Sequence, residues 1–333
     1  MSAGIKAIEY YLPEKILTNS ELAEVYGDWS AEKIFEKTGI RNRHITSKGE
    51  CVTDIAVKAA EKVFSSGTIR PDEIDFVILA TQTPDYILPT SACIIQDRLG
   101  IPQSSGAFDF NLGCSAFIYG LSVSKGLIAA GIARNILFIT AETYSKHIHP
   151  LDKSTRTIFG DAAAAAIISD CGHSIGEFDL GTDGSGFDKL IIPAGGARLP
   201  LSDETKIEKN DNGSVRTPEN IYMSGTDIFN FTIKVVPASI KNVLEKNKLT
   251  LEDIDLFVFH QANKFMLDFL RKKVKIPEDR FILDMEDTGN TVSPTIPIAL
   301  KRAEEKGKIK KGDKVLIIGF GVGLSWGSTI LEW

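Results

Sequence analysis

The chain has 333 residues, 43% of them hydrophobic and 25% charged, with a formal net charge of −6. That length is too great for one simple core and implies two domain-sized halves of an ordinary globular protein. The acidic balance excludes nucleic acid as the main partner, because a duplex binder needs a basic surface. Cys51, Cys93, Cys114 and Cys171 form no CxxC pair, so no metal site or redox motif is expected. The run Met1–Lys6 lacks a signal-peptide pattern, which leads us to expect a reducing cytoplasm with free thiols.

In chain order, Asp54–Ser66 reads as a helix, and Pro71–Thr81 as an acidic turn, an Ile-Asp pair and an apolar strand. Ala107–Phe110 is a further β-type run. It gives way at Cys114 to a long small-residue helix, Cys114–Ala133, whose Lys125, serines and three glycines make it a buried central helix, not a membrane span. A cysteine in the first turn of such a helix feels the positive end of the dipole. The thiol pKa is therefore expected to fall, making Cys114 the nucleophile. The other three cysteines read as small buried hydrophobes. Asn135–Ala141 is a strand, and Asp161 after it is expected to cap or orient backbone. Leu201–Asn220, with its Asp-Glu-Thr-Lys and Asn-Asp-Asn-Gly runs, reads as a polar surface loop. Thr226–Asn247 is a helix, and Leu251–Gln261 again reads as an acidic turn, Ile-Asp and a strand, ending at His260. Phe281–Asp284 is strand-like and precedes the loop Gly289-Asn290-Thr291. Thr295–Lys306 is a helix, Lys314–Phe320 a strand, and Gly319–Gly323 a flexible glycine loop.

The chain repeats itself. Ile74 matches Ile254 and Ile136 matches Val315, at offsets of 180 and 179 residues. A duplicated unit follows, with halves 1–172 and 173–333, each a helix, a strand, a helix and a strand. Continuous apolar strands alternating with helices indicate an α/β protein whose sheets are covered on both faces. Cys114, His260 and Asn290 each lie just past a strand-like run, where α/β proteins gather their chemistry. A thiolate, an imidazole and a carboxamide suit acyl transfer followed by carbanion chemistry. Cys114 would hold the acyl group. His260 Nε2 and Asn290 Nδ2 would stabilise the enolate oxygen left when a malonyl thioester loses CO₂. Backbone N–H groups of Cys114 and the Gly321-Val322 loop would form a second oxyanion hole. Without decarboxylation, the site would need an acidic base near Cys114, for which Glu142 is the candidate.

Nearly the whole chain resembles the β-ketoacyl-acyl carrier protein synthase III family of the thiolase superfamily. The likeness rests on Tyr11–Lys15, Thr38–Arg43, Ala80–Asp85, the Cys114 segment, Phe159-Gly160-Asp161, Pro193–Gly196, His260-Gln261-Ala262-Asn263, Gly289-Asn290-Thr291 and Ser325-Trp326-Gly327. The resemblance implies a thiolase-like five-layered αβαβα fold with pseudo-twofold symmetry and a homodimer. It implies Cys114, His260 and Asn290 as the catalytic residues of an acyltransferase that starts fatty acid biosynthesis. Such an enzyme condenses an acyl-CoA, often acetyl-CoA, with malonyl-acyl carrier protein, and coenzyme A enters as substrate with no metal or redox cofactor. Asn263 and Phe229 match tunnel-lining positions, Leu88 a position that limits acyl-chain length, and Thr38, Lys37 and Lys153 the nucleotide end of the tunnel. The family's adenine-clamping aromatic and guanidinium positions read Lys33 and Lys37 here, beside Trp29. Gln261, Phe265, Arg271, Lys272 and Lys273 fall where the carrier protein docks, although the basic run equally fits a solvated face. These departures also admit a specialised acyltransferase or condensing enzyme of secondary metabolism or envelope-sugar assembly, using another donor.

Overall fold

In the computed structural model, which describes residues 3–211 and 213–333, the strands over residues 76–80, 135–142, 162–169, 256–259, 314–321 and 325–332 are almost wholly buried. The first half holds β1 (Gly4–Tyr11), β2 (Lys15–Thr18), α1 (Asn19–Tyr26), α2 (Ala31–Thr38), β3 (Asn42–Ile45) and α3 (Val52–Ser65). It continues with β4 (Phe76–Ala80), α4 (Ser91–Arg98), β5 (Gly106–Phe110), α5 (Ala116–Ala129), β6 (Asn135–Glu142), α6 (Lys153–Arg156) and β7 (Ala162–Ser169). The second half has β8 (His173–Ile175), β9 (Asp179–Thr182), β10 (Leu190–Ile191), β11 (Lys209–Asp211), β12 (Ser214–Arg216) and β13 (Tyr222–Met223). After them come α7 (Gly225–Asn247), β14 (Leu256–Phe259), α8 (Lys264–Val274), α9 (Thr295–Glu305), β15 (Lys314–Gly321) and β16 (Ser325–Glu332).

The principal strands form one hydrogen-bonded path, β14-β15-β16-β8-β1-β7-β6-β4-β5, with β9 alongside β16. In the first half β4 pairs parallel with β5 and β6, and β6 pairs antiparallel with β7. The second half repeats this: β14 pairs parallel with β15, and β15 antiparallel with β16. Helix α5 packs on β4, β6 and β7 on one side and on β15 and β16 on the other, while α9 touches β1, β7 and β14. With α3 against β1, β6 and β7, and α7 against β9, β15 and β16, the layers run helix, sheet, helix, sheet, helix. Such burial on both faces explains the unbroken apolar runs, of which the wholly buried β7 is the extreme.

Three local expectations are corrected. Cys114 lies in a turn ahead of α5, not in the helix's first turn. Phe281–Asp284 forms no strand. It contributes a single parallel bridge from Phe281 to Phe257, where β5 would sit in the other half. The polar stretch 201–220 is anchored and not a plain loop. It carries the β11–β12 hairpin, the buried Thr205 donates to Glu219, and Ser214 accepts from the backbone of Ser154. Met1, Ser2 and Asn212 lie outside the described residues.

Candidate active site

Glycine lets the end of β15 press against the nucleophile's turn. A Cβ on Gly319 would meet the Cys114 carbonyl oxygen at 2.4 Å, and one on Gly321 would meet Sγ at 3.1 Å. The thiol is 5% exposed. Burial, and then the nearby Glu142 carboxylate, push its pKa up, and only a backbone hydrogen bond opposes them. Burial and the neighbouring carboxyl thus act against the expected lowering, because both disfavour the thiolate.

His260 extends the ladder of β14, its N–H donating to the Ile318 carbonyl at 2.8 Å. The ring is buried and stands edge-on to Phe320, with centroids 5.6 Å apart. Burial pushes its pKa down to about 3, so the imidazole is neutral at ordinary pH. Nδ1 lies 2.7 Å from Thr295 Oγ1, and Nε2 lies 3.4 Å from Asn290 Nδ2.

Asn290 is held by a strap across Phe159. Its N–H donates to the Ile158 carbonyl at 2.9 Å, and its carbonyl accepts from Gly160 N–H at 3.0 Å. Gly289, at φ +71°, makes the turn into the strap. The Asn290 side-chain oxygen accepts the Val292 N–H at 2.9 Å, which turns the NH₂ group toward His260. Val292 itself holds φ +64°, a strained position for a β-branched residue.

Cys114, His260, Asn290, Asn263 and Gly321 line one cavity of about 230 Å³. Its other walls include Ile158, Leu190, Met223 and Ile228, so it is mostly apolar around the polar groups of Cys114, Ser154, His260, Asn263 and Asn290. Asn263 also caps α8, accepting from Met266 N–H at 2.9 Å. A second cavity, of about 500 Å³, shares Leu190 and is lined by Val322, Gln82, Tyr144 and Ile192.

Other expected residues lie apart from the cavity. Thr38 is a buried cap that donates to Ile34 O and accepts from Ile40 N–H, which removes it from substrate contact. Lys37 and Lys33 stand 5.4 and 5.1 Å from the ring of Trp29. Lys153 is bound to Asp28. Leu88 is exposed and lines neither cavity. Phe229 packs on Phe265 and Phe269. Gln261 is buried, donating to Phe259 O and Ile282 O and accepting from Asp284 N–H, so it is structural and not a docking residue. Arg271 turns back to Ile276 O and Glu278, while Lys272 and Lys273 stay exposed. Asp161 accepts from the backbone and hydroxyl groups of Thr46 and Ser145, as a backbone-orienting residue should. Glu142 is buried and accepts from Gln82 N–H, Thr83 and Ser293. It does not line the Cys114 cavity. Sequence reasoning missed Val292 and Thr295; the only signal was their spacing from Asn290, hidden inside a helix start.

The family model described as 3-oxoacyl-[acyl-carrier-protein] synthase III matches residues 108–184, and that for the C-terminal part matches residues 244–333. The chain is 41% identical to the beta-ketoacyl-[acyl-carrier-protein] synthase III of Caldanaerobacter subterraneus, covering 100% of this chain and 98% of the relative. It is 38% identical to the Fusobacterium nucleatum enzyme of the same name, covering 100% and 99%. A crystal structure of a 3-oxoacyl-(acyl-carrier-protein) synthase III matches with a TM-score of 0.98 at 49% identity, covering 100% of both chains.

Proposed function

Because the chain belongs to the 3-oxoacyl-[acyl-carrier-protein] synthase III family, we propose that Cys114, His260 and Asn290 divide its reaction between them. The enzyme is an acyltransferase that condenses an acyl thioester with malonyl-acyl carrier protein at the start of fatty acid biosynthesis. In the first half-reaction Cys114 Sγ attacks the thioester carbon. A new C–S bond forms, the coenzyme A sulfur leaves, and the cysteine proton goes to it. The backbone N–H groups of Cys114 and Val322 hold the transient oxyanion.

In the second half-reaction the bond from the malonyl carboxylate carbon to Cα breaks. CO₂ departs, and the electron pair passes to an enolate whose oxygen accepts from His260 Nε2–H and Asn290 Nδ2–H. The enolate carbon then attacks the acyl group, and the released thiolate takes up a proton. Burial supports this role for His260, since a neutral ring donates a hydrogen bond without itself changing charge. Glu142 does not line the Cys114 cavity, so the reading without decarboxylation has no base facing the thioester.

The supporting observation is the meeting of Cys114, His260 and Asn290 on the lining of one cavity. We assign coenzyme A as substrate, no metal or redox cofactor, a cytoplasmic setting, halves at 1–172 and 173–333, and a homodimer. Asn263 is assigned to the pantetheine passage, and exposed Phe265, Lys272 and Lys273 to the carrier protein. Lysines cannot stack on an adenine as a guanidinium does, so affinity for the donor would rest on the passage and not on a nucleotide clamp. The test is a panel of acyl-CoA and acyl-carrier-protein donors read by intact mass, alongside CO₂ release from malonyl-carrier protein. One acyl group should add to the wild type and none to Cys114→Ala, while the variant should still release CO₂. Equal acylation of both proteins would overturn the assignment of Cys114.

A further inference from the structure

A third cavity, of about 470 Å³, is walled by β2, β3, the segment 145–150 and α6. Lys15, Lys48, Lys146 and Arg156 line it, and no Asp or Glu does. Among the described residues none of these four cations is in an ion pair, and Lys146 Nζ donates only to the carbonyls of Ser47 and Lys48. Carboxylates are not scarce in this chain, with 44 Asp and Glu against 38 Lys and Arg. The carboxylate bonded to the lining is Asp161, and its oxygens are taken by N–H and O–H groups of Thr46 and Ser145.

Strand pairing adds a further positive charge. Side chains alternate along β2, so Lys15 and Leu17 share a face with their partners Ile45 and Arg43 on β3. Arg43 has no exposed surface, and it donates to Asn19 Oδ1 and to the carbonyls of Thr157 and Leu17, all neutral acceptors. Its Nε has no partner among the described residues. Burial pushes its pKa down to about 10; Tyr26 opposes that shift and the Arg156 charge adds to it. A buried charge without a counter-ion is costly, and an anion beside Arg156 would offset that cost.

The rest of the wall is largely apolar, with Leu17, Ile45, Ile148 and Phe159. A pocket of this size suits a small molecule. Charge of one sign focuses its field in such a cleft, and a guanidinium matches a carboxylate or phosphate head through two parallel hydrogen bonds. Phe159 is the one residue that also lines the Cys114 cavity.

We propose that this cavity binds an oxyanion carried on an apolar stem, a fatty carboxylate or an alkyl phosphate, at a site separate from the thioester passage. The proposal stands apart from the roles of Cys114, His260 and Asn290.

The test is calorimetric titration of the full-length protein with octanoate, octyl phosphate, octan-1-ol and inorganic phosphate. At least one of the two amphipathic anions should bind at one site per chain, and the tighter names the head group. Octan-1-ol and inorganic phosphate each lack one half of the ligand and should bind at least about tenfold more weakly. Arg156→Met keeps an apolar stem and loses the charge, and it should weaken binding by about 10- to 100-fold. Arg156→Lys should recover part of that loss, because it restores the charge without the fork. Lys15→Met combined with Lys48→Met removes charge from other elements and should also weaken binding, with thermal melts confirming that each variant is folded. No binding of either anion below millimolar concentration would overturn the inference. So would octan-1-ol binding as tightly as the anions, affinity unchanged in both the Arg156→Met and the paired lysine variants, or competitive displacement of the probe by coenzyme A.

Discussion

Glu142 works against the ionisation of Cys114, and burial limits how strongly it does so. Its carboxyl group has no solvent contact, and burial pushes its pKa up to about 8 despite three hydrogen-bond donors. Near neutral pH it is therefore largely protonated, and its opposition to a thiolate grows only in alkaline solution. The same shift links folding to pH. Between the ordinary value of 4.5 and about 8, the unfolded chain releases this proton while the native protein retains it. The group's stabilising contribution is thus complete below 4.5 and lost as pH rises toward 8. Glu142→Gln has no proton to lose, so its melting temperature relative to wild type should rise between about pH 5 and pH 8. Each kcal/mol of the linkage corresponds to about 2–4 °C in a domain of roughly 150–250 residues. His260 has the opposite sign, since its depressed pKa costs stability as pH falls below its ordinary 6.5. It is present in both proteins and cancels in the difference. Thermal melts at three pH values check this, and a difference that is flat or shrinks with pH would show that Glu142 is ionised in the native protein.

Helix α5 joins the two halves, and its composition follows from that place. Gly120 faces Phe138 of β6 so closely that a Cβ there would come within 2.0 Å of the ring. Phe138 stacks between Phe117 and Phe110, with centroids 5.6 and 6.3 Å away, so the ring has little freedom to yield. On propensity alone, Gly120→Ala should stabilise a helix by about 1 kcal/mol. Overpacking works the other way by about 1–3 kcal/mol. We predict that overpacking wins, lowering the urea midpoint with an unchanged m-value. Phe138→Leu should restore part of the loss when combined with Gly120→Ala. Additive losses would mean that the two side chains do not compete for space. The helix and its neighbouring strands were legible in the sequence because burial on both faces leaves long apolar runs. Where Cys114 sits relative to α5 was not, since the turn is set by β15 pressing its glycines against it. Nor was the loss of a strand at Phe281–Asp284. Its backbone pairs once with Phe257 and then turns to serve the Gln261 side chain, a contact between residues distant in sequence.

At the scale of the molecule, the buried strands were the most legible feature, because the pairing of β4, β6 and β7 recurs in β14, β15 and β16 and tolerates few alternatives. The meeting of Cys114, His260 and Asn290 followed from it. The roles of Thr38, Gln261 and Leu88 did not, because a side chain's burial depends on what packs over it and not on its own type. Leu88 poses the remaining question. It lines neither cavity of its own chain, so any limit it sets on acyl length has to act on a second copy. Tyr86, Ile87 and Leu88 are 61, 94 and 79% exposed, an apolar run too prominent for a surface left to water. The nearby sheet ends at β5, whose outer edge is unpaired among the described residues. Such an edge invites pairing unless something covers it. A twofold-related copy would cover the apolar run, the open strand, or both, and bring Leu88 toward the partner's cavity. Wild-type protein should therefore sediment as a dimer at micromolar concentration. Paired substitutions Ile87→Glu and Leu88→Glu should shift it toward monomer by burying like charges at the interface, and should broaden the range of acyl donors that load Cys114. A wild-type monomer would remove the dimer, whereas a dimer untouched by both substitutions would place its interface elsewhere and leave Leu88 without a role in chain length.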